Sequence, residues 1–233
     1  MGSLYIKDVL DIALDEVGYQ GGKGVSKYTA ELDEVNYWQM PPKNGSPDAD
    51  WCSIFVNWCI YRSTRNSDGD IEPNKWDAHY FTFEPDDRQN LAAGCGYAAD
   101  YYMQNDAWSE NCQGACRGDQ VFFRNYAHTG LVVDWDDDGI YTVEGNTSED
   151  GVKYRVAKKF YRYDDPNIDG FGHPRYDGDK YEEPDHNDEP QPEPDPEPEP
   201  APEPQTVTIS IEVETDDAQA FKDALRNAKI TIK

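Results

Sequence analysis

Between residues 177 and 205 the chain carries nine of its 16 prolines, mostly in Glu-Pro and Asp-Pro repeats, together with 12 acids and one lysine. Like charges repel along this stretch, and proline favours polyproline II geometry, so it reads as an extended spacer that buries no core. Residues 190–204 alone would span roughly 45 Å at about 3.1 Å per residue. This segment divides the chain into a folding unit over 1–176, an acidic Pro-rich linker over 177–205 and a small tail over 206–233. The tail reads as β-α-β: Val207, Ile209, Ile211 and Val213 alternate with polar residues, Asp217 caps a helix bearing Ala218, Phe221, Leu225 and Ala228, and Ile230-Thr231-Ile232 follows. About 28 residues is too few for an independent core. The tail is therefore expected to form a homo-oligomer, to pair with another polypeptide, or to belong to a larger binding module.

The formal charge is −26, from 21 basic and 47 acidic side chains. That sign argues against nucleic acid and anionic membrane surfaces as partners. No run of 18 apolar residues occurs, which argues against membrane insertion. At the N-terminus, Lys7, Asp8 and Asp11 interrupt what would have to be the apolar core of a secretory signal, so none is expected.

Within 1–176 the apolar period changes once. Helical spacing comes first: Ile6, Val9, Leu10, Ala13 and Val17 predict a helix over 5–17, and a further helix is expected over 91–106. Period-two patterns follow from Gln120, giving strands at 120–124, 129–135, 139–144, 152–159 and 169–176. Residues 19–49 and 64–90 read as loop-rich because of Gly21-Gly22, Pro41-Pro42, Asn66-Ser67-Asp68-Gly69 and Glu84-Pro85. The expected fold class is α+β, with helices packed on an antiparallel sheet.

The chemistry centres on Asp50-Trp51-Cys52-Ser53-Ile54-Phe55-Val56-Asn57-Trp58-Cys59. Asp50 reads as a helix N-cap, and Phe55, Val56 and Cys59 share a face with Cys52. A cysteine in a first helical turn sits near the positive end of the helix dipole, which favours the thiolate. The plainer reading is a buried structural cysteine. Three further segments bear on the choice: Gly118-Asp119-Gln120-Val121-Phe122-Phe123, then His128-Thr129-Gly130 at a strand start, then Glu144-Gly145-Asn146 at the end of the next strand.

A helix-start cysteine followed in this order by Gly-Asp-x-Val-Phe-Phe, His-x-Gly and Glu-Gly-Asn resembles the CHAP family of cysteine- and histidine-dependent amidohydrolases and peptidases. The resemblance covers roughly Tyr5 to Tyr176, with Ile168–Tyr176 resembling the closing strand. It implies a papain-like (CHAP, NlpC-type) domain that hydrolyses an amide of bacterial peptidoglycan, as a muramoyl-L-alanine amidase or an endopeptidase. Cys52 would be the nucleophile and His128 the proton carrier, with Glu144 or Asn146 orienting the imidazole. No cofactor is required by such chemistry. Some members hold calcium ahead of the cysteine, which makes Asp48 and Asp50 candidate ligands, although Asp50 is equally explained as a cap. With no signal sequence, the resemblance implies an endolysin-like protein that stays in a phage host's cytoplasm until a holin releases it to the wall. The alternatives are an inactive CHAP-like wall-binding module and a small-molecule amidase.

Other candidates carry less. His79 lies in a polar stretch with no strand start, and His173, ahead of Pro174, reads as structural. Asp134, Asp136, Asp138 and Gly139 match the opening of an EF-hand, but Glu144 falls one residue short of the bidentate position, so a hairpin turn is expected. Cys112-x-x-x-Cys116 lacks a second pair for zinc and reads as a local disulfide or two thiols. Tyr28, Tyr37 and Trp38 would either flank a substrate groove or pack a loop on the core.

Overall fold

The computed structural model describes residues 1–39, 50–86, 89–110 and 115–177. The chain divides into two units, Met1–Glu183 and Pro184–Lys233, and all of these residues belong to the first. Asp48, Cys112, and the linker and tail beyond Asp177 lie outside them. The described part is α+β, with five helices and a six-stranded antiparallel sheet. The helices are α1 (Ile6–Asp15), α2 (Lys27–Glu34), α3 (Cys52–Ser63), α4 (Lys75–Phe81) and α5 (Cys95–Met103). The strands are β1 (Trp108–Ser109), β2 (Gln120–Phe123), β3 (His128–Trp135), β4 (Gly139–Glu149), β5 (Val152–Arg162) and β6 (Ile168–Gly172), in the order β1-β6-β2-β3-β4-β5. No helix among them is long and apolar enough to cross a membrane.

Helix α3 is the centre of this architecture. Every residue from Cys52 to Ser63 except Arg62 is buried, which is why its sequence is apolar all round rather than striped. It lies against β3 and β4, with α1, α2, α4 and α5 also packed on it. The approach to β4 is close: a Cβ built on Gly145 would lie 2.5 Å from Phe55 Cβ. The glycine of the Glu-Gly-Asn segment is therefore a packing requirement of the helix that carries Cys52.

Two helices were not legible in the pattern, because flanking breakers dominated short windows. Helix α2 begins at Ser26, whose side chain accepts a hydrogen bond from Thr29 N–H, and it buries Tyr28 and Leu32 at i and i+4. Helix α4 begins at Asn74, which accepts from Trp76 N–H, and it buries Ala78, His79 and Phe81. The aromatics expected either at a groove or in the core are in the core. Tyr28 donates to Glu16 (2.7 Å) and Tyr37 donates to Asn57 Oδ1 (3.0 Å), while Trp38 packs edge-on to Tyr37.

Boundaries moved for local reasons. Helix α1 stops at Asp15, leaving Val17 exposed in the following turn. Strand β6 ends at Gly172, ahead of Pro174, and β4 continues past Glu144 through irregular pairing between Glu144 and Thr147. The β3–β4 turn is a hairpin as expected, but it does not use positive φ at Asp138 or Gly139. Instead the Asp136 carboxylate accepts N–H bonds from Asp138 (2.8 Å) and Gly139 (3.0 Å), an Asx turn. Asp177, the first residue of the expected linker, is tied to the folded unit: its N–H donates to Leu4 C=O, and its side chain accepts from Leu4 N–H.

Gly145→Ala is expected to lower stability by about 1–3 kcal/mol, the usual cost of overpacking a core. The measurement is the urea midpoint; an unchanged midpoint would mean that α3 can withdraw from β4 freely.

Candidate active site

Cys52 opens α3, and its neighbours in the first turn leave their N–H groups unbonded within the helix, the first helical bond running from Phe55 N–H to Trp51 C=O. Asp50 does not cap this helix. The N-cap position is Trp51, with no side-chain cap, and Asp50 Oδ1 instead accepts a hydrogen bond from Asn146 Nδ2 (3.0 Å) across to β4. Cys52 therefore relies on backbone N–H groups, including Ser53, and on side chains for stabilisation of its thiolate.

His128, at the start of β3, meets Glu144 on the adjacent strand: Nε2 lies 2.7 Å from Oε2. With Nε2 donating to the carboxylate, Nδ1 is the ring atom left for the electrostatic interaction with Cys52. Glu144 is fully buried and also accepts from Thr142 Oγ1 (2.8 Å) and Tyr161. The intervening Gly130 makes this pairing fit, since a Cβ there would come within 2.6 Å of Glu144 Cγ. Asn146 does not reach the imidazole; it sits at positive φ (54°), with its Nδ2 held by Asp50.

The electrostatics of these groups are linked. Burial alone would lower the His128 pKa, but hydrogen bonds and charge from Cys52 and Glu144 outweigh it and raise the group to about 9. Burial would raise the Glu144 carboxyl, and the His128 contact more than offsets this, so it stays below its ordinary value. The Cys52 thiol is held well below its usual range, first by a hydrogen bond from Cys95, and then, against burial, by His128. Together they favour a thiolate–imidazolium pair supported by a carboxylate, the arrangement an activated cysteine nucleophile needs.

Cys95 was missed in the sequence, where it appears only as one of five cysteines. Its Sγ lies 3.4 Å from Cys52 Sγ, and its own thiol is pushed up by that contact and by burial, so it remains a donor. A helix-start position after Gly94 was the available signal. The other histidines are elsewhere. His173 Nδ1 lies 3.0 Å from Asp119, whose other oxygen accepts from Cys116 N–H (2.6 Å), so the Asp of the Gly-Asp segment braces the sheet. His79 is enclosed against Tyr37, and burial lowers its pKa to about 4.

Among the described residues no group of three or more His, Cys, Asp or Glu side chains could hold a metal ion. Of the two candidate calcium ligands, Asp48 lies outside them, and Asp50 alone is far from the six or more oxygens calcium takes. No step below is routed through a metal.

No family model matches the chain, and no curated protein matches it. Among solved structures, the crystal structure of Ly7917 with the hydrolysing product of MDP aligns with a TM-score of 0.40 and 13% identity, over 72% of this chain and 62% of that one. The chain thus spans less than two thirds of that structure's length.

Replacing Cys95 by Ala removes a donor to the thiolate, so the Cys52 pKa should rise. The check is the pH midpoint of Cys52 alkylation by iodoacetamide, followed by peptide mass; the midpoint should move to higher pH in Cys95→Ala and stay put if the contact is idle.

Proposed function

We propose that the chain is a cysteine-dependent hydrolase of an amide bond in bacterial peptidoglycan, on a papain-like fold of the CHAP and NlpC type. The observation that carries this reading is the Cys52–His128–Glu144 arrangement: a helix-start thiol electrostatically linked to an imidazole whose Nε2 lies 2.7 Å from a buried carboxylate. The ordered sequence segments around those residues carry the choice of wall substrate.

In the reaction, the Cys52 thiolate attacks the scissile carbonyl carbon, and the oxygen that becomes negative is met by the Cys52 backbone N–H. The His128 imidazolium then gives its Nδ1 proton to the leaving amine as the C–N bond breaks, leaving a thioacyl-enzyme. Neutral His128 next takes a proton from water as the water oxygen attacks the thioester carbon; the C–S bond breaks, the carboxylic acid departs, and the thiolate–imidazolium pair is restored. Glu144 fixes the ring through Nε2–H and stabilises its charged form. Asn146 is a substrate-binding residue in this reading, not the orienting one. The bond is the muramoyl-L-alanine link by preference, and a stem or cross-bridge peptide bond otherwise. An endolysin-like release by a holin, with the acidic linker spacing a tail that self-associates, completes the proposal. An inactive wall-binding module is disfavoured because the chain keeps Cys52, His128 and Glu144 together, with His128 Nε2 at 2.7 Å from Glu144.

Mass spectrometry of Gram-positive peptidoglycan after digestion should reveal new L-alanine N-termini with the wild type and none with Cys52→Ala. New amines within the stem or bridge would make it an endopeptidase; no release from several wall types would remove the reading. The active ion pair requires protonated His128, so activity should fall as pH rises through about 9. Glu144→Gln removes the carboxylate that raises His128, so the alkaline limb of the pH–rate profile should move to lower pH.

A further inference from the structure

Beside His128 lies a cavity of ≈ 460 Å³, lined in part by Arg124, Asn146, Ser148, Lys159 and Tyr161. This volume suits one or two peptide residues. Its charge is opposite to that of the chain. Elsewhere Lys27, Arg62, Arg65, Arg117 and Arg155 each face a carboxylate within ion-pair distance. Among the described residues no carboxylate pairs with Arg124, and Lys159 Nζ donates only to the Ser148 carbonyl. Lys75 and Arg175 likewise meet backbone carbonyls and Lys158 the Tyr141 ring, but Arg124 and Lys159 differ in lining one cavity together.

The backbone is built to present them. Arg124, Asn125 and Tyr126 are consecutive residues at φ 56–58°, a region non-glycine residues rarely adopt. The turn is held by Asp169, whose carboxylate accepts from Asn125 N–H (3.0 Å) and Tyr126 N–H (2.7 Å), and by Arg124 N–H donating to Asn167 C=O (2.8 Å). On the other wall, Asn146 also sits at positive φ. Asp50 fixes its Nδ2, leaving Oδ1 buried with no hydrogen-bond partner.

We propose that this cavity holds the leaving-amine half of the substrate and selects a carboxylate-bearing residue there, with Arg124 and Lys159 meeting the carboxylate. The assignment of side follows from His128, which lines the cavity and delivers the proton to the leaving amine, and so rests on the hydrolase reading above. The ligand class is an acidic peptide. Arg is suited to bidentate carboxylate recognition, and Lys159 adds a second charge.

The test uses the full chain carrying Cys52→Ala, titrated calorimetrically with L-Ala-D-Glu and with its dicarboxamide. The acid should bind about tenfold or more tightly, in line with a hydrogen bond to a charged group. That preference should vanish in Arg124→Gln/Lys159→Gln, persist in Arg124→Lys, and shrink in 0.5 M salt (about a 4–5 Å screening length). Equal binding of acid and carboxamide, or a preference indifferent to both glutamine substitutions, overturns the proposal. In parallel, the wild type is assayed on peptidoglycan. Wall cleavage with no acid preference removes the carboxylate pocket and leaves the hydrolase reading standing. An Arg124-dependent acid preference without wall cleavage upholds the pocket and removes the hydrolase reading.

Discussion

The close approach of α3 to β4, at Phe55 over Gly145, is the contact on which the rest of the arrangement depends. It places the first turn of a fully enclosed helix beside the strand that supplies Glu144, one strand away from His128. A larger residue at 145 would separate the thiol from the imidazole as well as opening the core. The same few residues thus serve packing and chemistry. That explains why glycine sits beside the carboxylate and why Gly130 sits two residues after the imidazole: each removes a Cβ where β3, β4 and α3 converge.

Burying a thiol, an imidazole and a carboxylate together is costly unless each finds partners. Here they do. Glu144 accepts from His128, Thr142 and Tyr161, and Cys52 is met by Cys95, His128 and Ser53 N–H. The network is satisfied on the inside and open on one side, where His128 borders the polar cavity. Charge is distributed by the same logic. Among the described residues most arginines are paired with carboxylates, whereas Arg124 and Lys159 line the cavity without one.

Much of this was legible in the chain. Runs rich in β-branched and aromatic residues from Gln120 gave the central strands to within a few residues, even though β2 and the first six residues of β3 are buried throughout and do not alternate. The apolar run after Cys52 gave α3. Short elements were hidden. Helices α2 and α4 have only eight and seven residues, and their caps, Ser26 and Asn74, look like loop residues until the turn behind them is seen. Asp50 read as a cap because local propensity favours it, yet a cross-element bond to Asn146 claimed its carboxylate.

By itself, then, the sequence determined the α+β class and the order of helices before sheet, which follow from local periodicity, and through its resemblance to a family it offered Cys52, His128 and either Glu144 or Asn146 as candidates. Tertiary structure decided which carboxyl or amide holds His128, that Cys95 from a distant helix start lies 3.4 Å from Cys52, and that Arg124 and Lys159 line one cavity with Asn146. Those pairings join residues 16, 43 and up to 35 positions apart, and no periodicity along one element encodes the distance between two.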